Sequence, residues 1–298
     1  MKIKMISVLC FFFFSCACIS AGGRNDLPAE DFSAPAGAVY PGYENIRKVS
    51  ESIGADLSDR TLFEDFKSSP TVSVSIVGSG DGASADIAME IQKALLDRGC
   101  VKVLSPSLRE NRPELYLVGR ITYSPEKSSY VFGMSLVNPY AKKNIWRRDY
   151  ALPDINMQEA GVAALKRPAE KFSGARARSV LSKLAENCFS SERMRARLRN
   201  GKPSVIAGGL NNLSGVAADD KAVLALLVKI LSAGRKVYLV GMDDAAPADI
   251  SAEITITSWT AAAPAGKSPK VYYNMWLTLY EIKTEDILWS DRYLFEAV

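Results

Sequence analysis

Two stretches of the chain, Pro70-Thr71-Val72 and Pro203-Ser204-Val205, share one pattern and lie 133 residues apart. Three further matches follow in the same order at slightly larger spacings: Gly99 with Gly234, Trp146 with Trp289, and Tyr150 with Tyr293. Solenoid repeats have about 20 to 50 residues, whereas whole domains have about 100 to 150. The spacing therefore predicts two tandem homologous domains.

Both repeats predict the same order of elements, β-α-β-β-β-β, after a leading helix. Residues 71–77 alternate apolar and small polar side chains, which is typical of a strand with one buried face. An amphipathic helix is predicted over 85–98, with Ser84 as its N-cap and Gly99 as its left-handed stop. Gly234 is the predicted stop of the second repeat. Four more strands close each unit, so the predicted fold class is α+β, a mixed and mostly antiparallel sheet with flanking helices.

The chain divides into five predicted segments. Their boundaries are 1–21 for an export signal, 22–42 for a flexible tether, 43–152 for the first domain, 153–174 for a linker and 175–298 for the second domain. A basic head, a short apolar centre with four consecutive phenylalanines and a small-residue end predict the export signal. The apolar run is shorter than the ~20 residues of a membrane span, so we expect membrane contact through a lipid anchor alone.

Two cysteines near the end of the export signal, Cys16 and Cys18, are candidates for lipidation, which follows cleavage before a cysteine preceded by small residues. Phe13 stands where a branched aliphatic residue is usual ahead of Cys16, whereas Ala17 directly precedes Cys18. Lipidation predicts a protein that is anchored to a membrane and lies outside the cytoplasm. The alternative is ordinary cleavage after Ala21, which also places the mature protein outside the cytoplasm.

Composition narrows the function classes. Without residues 1–21 the chain has 35 Lys and Arg against 33 Asp and Glu, a near-neutral balance that argues against binding of nucleic acid. The chain has no histidine, which removes the commonest general base and the commonest metal ligand. Scattered acids such as Asp81, Asp86, Asp219 and Asp243 are expected in solvated loops and at helix caps. We therefore expect no enzyme activity and no catalytic, cofactor-binding or metal-binding residues.

One glycine-rich stretch, Gly78-Ser79-Gly80-Asp81-Gly82-Ala83, fits the loose dinucleotide-binding pattern between a strand and a helix. The second repeat lacks the pattern at the equivalent place, and a run of four closing strands is not a doubly wound sheet. A tight turn is therefore the favoured interpretation.

Two cysteines, Cys100 and Cys188, remain in the mature part of the chain. One alternative is that they form a disulfide in an oxidising compartment, but two free thiols are favoured.

A basic run follows the predicted linker and includes Arg193, Arg195, Arg197 and Arg199. At helical spacing Arg193 and Arg197 share one face, while Arg195 and Arg199 share a nearly opposite face. A solvated helix explains this run. The alternative is a patch for an anionic partner, such as a cell-wall polymer, a lipid headgroup or an acidic protein surface. The four tryptophans lie in predicted strands, where core or sheet-face packing is expected.

The second repeat carries an asparagine pair after its first strand and a characteristic closing hairpin. The relevant residues are Asn211, Asn212, the stretch 272–282 with sequence YYNMWLTLYEI, and Trp289-Ser290-Asp291. With the export signal, this layout resembles the LpoB family of outer-membrane lipoproteins that activate penicillin-binding proteins. The first repeat is a degenerate match, with Gly78 and Ser79 at the asparagine positions and Trp146-Arg147-Arg148 in place of Trp-Ser-Asp.

The resemblance implies a periplasmic protein that docks onto a peptidoglycan synthase and stimulates it without chemistry of its own. The chain departs from the family pattern by having two such domains and a short tether, which spans at most about 70 Å when fully extended. The alternative function is an outer-membrane assembly or structural lipoprotein of a flagellar or secretion apparatus.

Overall fold

The computed structural model describes residues 43–77, 82–105, 111–124, 129–152, 174–214, 218–241, 247–261 and 270–296. The predicted export signal and tether, Cys16 and Cys18 lie outside these ranges. The described α-helices are α1 Tyr43–Asp56, α2 Gly82–Arg98, α3 Gly174–Ser190, α4 Glu192–Arg199 and α5 Asp220–Ala233. The strands are β1 Thr71–Val77, β2 Lys102–Val103, β3 Leu115–Ser124, β4 Ser129–Asn138, β5 Lys143–Leu152, β6 Ser204–Asn212, β7 Tyr238–Leu239, β8 Ile250–Ala261, β9 Lys270–Glu281 and β10 Ile287–Glu296.

Two five-stranded sheets share one topology. The first has the order β2-β1-β3-β4-β5, and the second has the equivalent order β7-β6-β8-β9-β10. Strand β1 of the first sheet and strand β6 of the second sheet are each parallel to both of their neighbours. The remaining pairs are antiparallel. The predicted α+β class, with mixed and mostly antiparallel sheets, is confirmed.

A clasp of hydrogen bonds at the start of each sheet shows the duplication in atomic detail. The backbone N–H of Thr71 donates to the Glu114 carboxylate at 2.8 Å, and the N–H of Glu114 donates back to the Thr71 hydroxyl at 3.0 Å. Ser204 and Asp249 make the same two bonds at 2.8 and 2.9 Å. The N–H donated by Ser204 lowers the pKa of Asp249. Because the side chains differ between the repeats, sequence matching does not reveal the clasp.

The helix ends differ in part from the predictions. Gly99 has a φ of 68° and is the left-handed stop of α2, as predicted. Gly234 caps α5 in a right-handed conformation, with a φ of −69°. The left-handed residue is Arg235, with a φ of 50°, because the second repeat takes one more residue to leave its helix. Ser84 lies inside α2, which begins at Gly82, so its predicted role as N-cap is wrong.

Helix α2 lies between the two sheets. Its residues Ile87, Ile91 and Leu95 are fully buried in the core of the first sheet. The opposite side of α2 contacts β8 and β10 of the second sheet. Since α3 and α5 cover the other face of that sheet, both of its faces are buried, and the consecutive residues 274–277 of β9 are all 0% exposed.

The first sheet, by contrast, is covered on one face. In β3, Leu115 and Leu117 point inward and are fully buried, whereas Tyr116 points outward and is 37% exposed. Arg120 on the same outer side is exposed as well. No helix among the described residues packs on this outer face. Equivalent faces of the two sheets therefore have different surroundings.

The two cysteines of the described residues are free thiols, as predicted. Cys188 is buried and Cys100 is half-buried, and burial raises the pKa of both. Among the described helices, none combines the length and the apolar character that a bilayer crossing requires.

Candidate functional site: the contact between α2 and the second sheet

Helix α2 presents charged side chains to the second sheet. Asp86, Glu90 and Lys93 are spaced by four and three residues, which places them on one side of a helix. The side chains that meet them belong to the face of β8, β9 and β10 that points away from α3 and α5. The site therefore joins residues of the first repeat to residues of the second.

Asp86 is the centre of this contact. Its carboxylate accepts hydrogen bonds from the Thr257 hydroxyl at 2.9 Å, the Asn274 amide at 2.5 Å and the Trp276 indole N–H at 2.5 Å. All four side chains are 0% exposed. The expectation that Asp86 is solvated is wrong, because α2 is covered on both sides and Asp86 itself has no access to water.

The environment of Asp86 acts on its titration in two directions. Burial raises the pKa to about 6, while the hydrogen bonds from Trp276, Thr257 and Asn274 favour the ionised form and limit the rise. At neutral pH the carboxylate is therefore ionised, and its three bonds bind the repeats together.

This shift predicts a pH dependence of stability. Between its ordinary pKa of 3.8 and about 6, Asp86 holds a proton in the folded protein and has lost it in the unfolded chain. Its contribution to the free energy of unfolding is therefore greatest below pH 4 and falls by about 3 kcal/mol as the pH rises above 6. Urea unfolding of wild type and Asp86→Asn between pH 3.5 and 7 measures this difference. A difference that stays constant or grows with pH would contradict the assignment.

Glu90 and Arg292 form the second element of the contact. The Arg292 guanidinium touches the Glu90 carboxylate, and Glu90 is 4% exposed. Burial and the nearby Asp86 carboxylate raise the pKa of Glu90. Contact with a guanidinium, here that of Arg292, opposes this rise because it favours the ionised carboxylate. Arg292 also lies over the Trp276 ring, 5.4 Å from its centroid. Trp276 thus contacts both halves of the charge network.

Lys93 extends the network toward solvent. Its ammonium lies 3.0 Å from the Asp97 carboxylate on the same helix and 3.8 Å from the Asp291 carboxylate on β10. Both acids are more exposed than Glu90, so these pairs add less to stability. Within the described residues, no three acidic or cysteine side chains converge in a way that would hold a metal ion.

A cleft of about 520 Å³ lies beside this contact, a size typical of ligand pockets. Helix α2 contributes Ser84, Ala85, Ala88, Met89 and Gln92 to it. The remaining lining comes from both sheets and from residues next to their strands, and it is mostly apolar or uncharged: Val74, Ser75, Ile76, Ser105, Gly209, Leu210, Asn211, Leu213, Glu253, Ile254, Thr255, Thr278 and Ile287. The two repeats build the cleft jointly, so neither repeat forms it alone.

The four arginines of the candidate anionic-partner patch divide as their spacing predicts. Arg193 donates to the carbonyl of Leu96 at 2.7 Å, and Arg197 lies within 4 Å of Asp249 and Glu281. Arg195 and Arg199 are exposed on the other side of α4. An anionic partner would therefore meet two of the four.

Other predicted positions are placed as follows. Asp219 is the N-cap of α5 and accepts the N–H of Ala222 at 3.0 Å. Trp276 is fully buried, as expected for sheet packing. Asn211 lines the cleft, and Asn212 accepts the N–H of Ser214 at 3.1 Å. Positions 78–81 of the glycine-rich stretch and Asp243 lie outside the described residues.

Sequence reasoning missed the central residues of the site. The available signal was the polar side of β9, where Asn274, Trp276 and Thr278 alternate with apolar residues in a strand with two buried faces. A second signal was an acid within an apolar helix, Asp86 beside Ile87. Neither signal names its partner, which lies 171 to 190 residues away in the sequence.

No family model matches the sequence, and no curated protein matches it. Among solved structures, the LpoB C-terminal domain from Salmonella enterica matches with a TM-score of 0.30 and 10% identity, covering 41% of this chain and 98% of that chain. The LpoB C-terminal domain from Escherichia coli matches with a TM-score of 0.29, the same identity and the same coverage. Similarity at this level carries no information about activity or partners. The chain is thus similar to the LpoB domain at a distance, and in fold alone.

Proposed function

We propose that this protein is a non-enzymatic lipoprotein of the bacterial envelope that binds a protein partner. The proposed partner is a penicillin-binding protein whose peptidoglycan synthesis is stimulated. The protein is exported, anchored to the outer membrane through Cys16 or Cys18 and exposed to the periplasm. One observation carries the proposal: the buried charges are used to join the repeats, while the outer face of the first sheet has no described helix on it.

The buried polar groups support a binding role over a catalytic one. Asp86 accepts its three hydrogen bonds from side chains of the protein itself, and Glu90 contacts Arg292. A catalytic acid or base must reach a substrate proton directly or through one water. Groups with 0% and 4% exposure, each engaged with the opposite repeat, fit a structural contact better.

The outer face of the first sheet is the proposed docking surface, defined by Tyr116, Val118 and Val131 with their strand neighbours. Tyr116 is 37% exposed, and Val118 and Val131 are half-buried. The equivalent face of the second sheet is covered by α2. Aromatic and apolar groups surrounded by polar ones are typical of protein interfaces.

The second candidate is a role in an outer-membrane flagellar or secretion assembly. The predicted tether favours it, because residues 22–42 reach at most about 70 Å when extended and far less when relaxed. A partner close to the outer membrane lies within that reach more readily than an inner-membrane synthase.

Photo-crosslinking separates these candidates. We expect a photoreactive amino acid at Val118 to capture one envelope protein in living cells, and mass spectrometry to identify it as a penicillin-binding protein. The same group at Val228, a 39% exposed valine on α5, serves as the matched control and should capture none. Capture of flagellar or secretion components at Val118 would support the second candidate instead. If the probe at Val118 gives no crosslinked product, or if the probe at Val228 captures the same protein to an equal extent, docking on this face is refuted.

A further inference from the structure

We infer that the cleft between the repeats binds an uncharged, extended peptide segment of the partner, which adds as a strand beside β1. This inference rests on the proposed function only in taking the segment from a partner protein. It assigns a role to a cleft that adjoins the outer face of the first sheet, where Ser75 of β1 is the register partner of Val118.

The edges of two strands, one from each sheet, border the cleft. Val74, Ser75 and Ile76 are consecutive residues of β1, and all three line it. All three lie on the part of β1 beyond its pairing with β2, which covers Thr71 and Val72. Gly209, Leu210 and Asn211 of β6 border the cleft in the same way.

Among the strands of the described ranges, none pairs with this edge of β1 along the cleft. Strand β2 pairs with β1 at Thr71 and Val72, and within the described residues no strand continues beside β1 beyond Val72 on that side. The Val72 carbonyl accepts the N–H of Leu104 on this edge. Every second residue of a strand turns its N–H and C=O to the same edge, so the backbone groups of Val74 and Ile76 also face it. Unpaired edges of this kind are templates for strand addition.

The chemistry of the lining selects the occupant. None of the described lining residues is basic, and the single carboxylate, Glu253, accepts the Tyr280 hydroxyl at 2.6 Å. A charged peptide would lose its hydration without gaining a counter-ion. The side chains of Ala88, Met89 and Ile76 offer apolar contact instead. An extended segment with small apolar or hydroxyl side chains therefore matches the cleft.

The chain's own tether is a poorer occupant. It joins α1 at Tyr43, and the first turns of α1 lie against β5, as the shared lining of Asn45, Lys48, Asp149 and Tyr150 shows. Strands β3 and β4 separate β5 from β1, which places these edges about 14 Å apart at about 4.8 Å per strand. The tether thus starts from the edge of the sheet opposite the cleft, and its charged residues Arg24, Asp26, Glu30 and Asp31 do not match the uncharged lining.

The test measures binding of a defined probe to the purified full-length protein. The probe is a fluorescein-labelled, end-capped hexapeptide of alternating threonine and valine, and its fluorescence anisotropy reports binding. We expect saturable binding that is weakened at least tenfold when every backbone N–H of the peptide is methylated. Methylation leaves the side chains intact and removes the donors that strand addition requires. No saturation, or equal binding of the methylated peptide, would overturn the inference.

Variants locate the binding. Ala88→Trp on α2 places a large ring in the cleft and Ser75→Trp places one beside its β1 edge, and we expect each to weaken binding at least tenfold. Ser75 is exposed, so its variant retains the fold even if the Ala88 variant does not. Ala225→Trp, at an exposed position of α5, should bind as wild type does. Wild-type affinity in Ser75→Trp would also overturn the inference. Because this assay contains no partner protein, its failure is distinct from a failure of the crosslinking experiment.

Discussion

Replacing Asp86 with alanine should lower the free energy of unfolding by about 3 to 5 kcal/mol, among the largest effects of a single substitution. The carboxylate accepts bonds from Thr257, Asn274 and Trp276, all fully buried. Without it, three donors remain in a region that water does not reach, and each loses its partner. Urea unfolding at pH 7, followed by circular dichroism, measures the change.

Two further variants test the cause of this loss. Asp97→Ala removes an acid from the same helix, but its side chain is 65% exposed and pairs with Lys93. We expect its cost to stay below about 1 kcal/mol. Asp86→Asn keeps one acceptor oxygen and should fall between alanine and wild type. Equal losses in the Asp86 and Asp97 alanine variants would mean that the buried hydrogen bonds are not the source of stability.

Replacing Arg292 with leucine should cost about 3 to 5 kcal/mol of the free energy of unfolding, because Glu90 then lacks the buried guanidinium that it contacts. Adding Glu90→Gln removes the carboxylate charge, and the double variant should recover at least about 1.5 kcal/mol of that loss. The double-mutant cycle of Glu90→Gln and Arg292→Leu, measured by urea unfolding, gives this coupling energy.

The neighbouring pair supplies the control. Asp291 adjoins Arg292 on β10, but it lies 3.8 Å from Lys93 and its side chain is 23% exposed. Asp291→Asn should therefore change the free energy of unfolding by less than about 1 kcal/mol. Additive losses in the Glu90 and Arg292 variants would show that their contact does not link the repeats.

The contact between α2 and the second sheet also explains why equivalent faces of the two sheets have different surroundings. Trp276 of β9 pairs with Arg292 of β10 in the second sheet. At the equivalent position of the first sheet, Gly133 of β4 pairs with Asp149 of β5. A face with Gly133 offers no indole N–H and no guanidinium to a helix like α2. The charged side of α2 therefore selects the second sheet, and no helix of the described ranges covers the outer face of the first sheet.

Much of the fold could be predicted from local patterns. Alternation in residues 71–77 and helical spacing in residues 85–98 depend on near neighbours in the sequence. The predicted strands and helices therefore agree with the observed ones, apart from end residues such as Ser84 and Arg235. The expectation that Asn211 and Asn212 follow the first strand of the second repeat is wrong, because β6 continues to Asn212 beside β8. The free thiols of Cys100 and Cys188 were predicted as well. The burial of Asp86 was not, because an isolated helix leaves that side in water.

The sequence by itself determined that one unit occurs twice, which elements each unit contains and which residues face its own core. These properties follow from short-range periodicity and from the recurrence of the pattern along the chain. Only the tertiary structure decided how the two units stack, and with it the contact of Asp86 with Trp276 and the cleft between strand edges. Those features join residues as much as 190 positions apart, and their stability comes from removing polar groups from water together. A local sequence pattern does not predict which distant part of the chain will cover a helix.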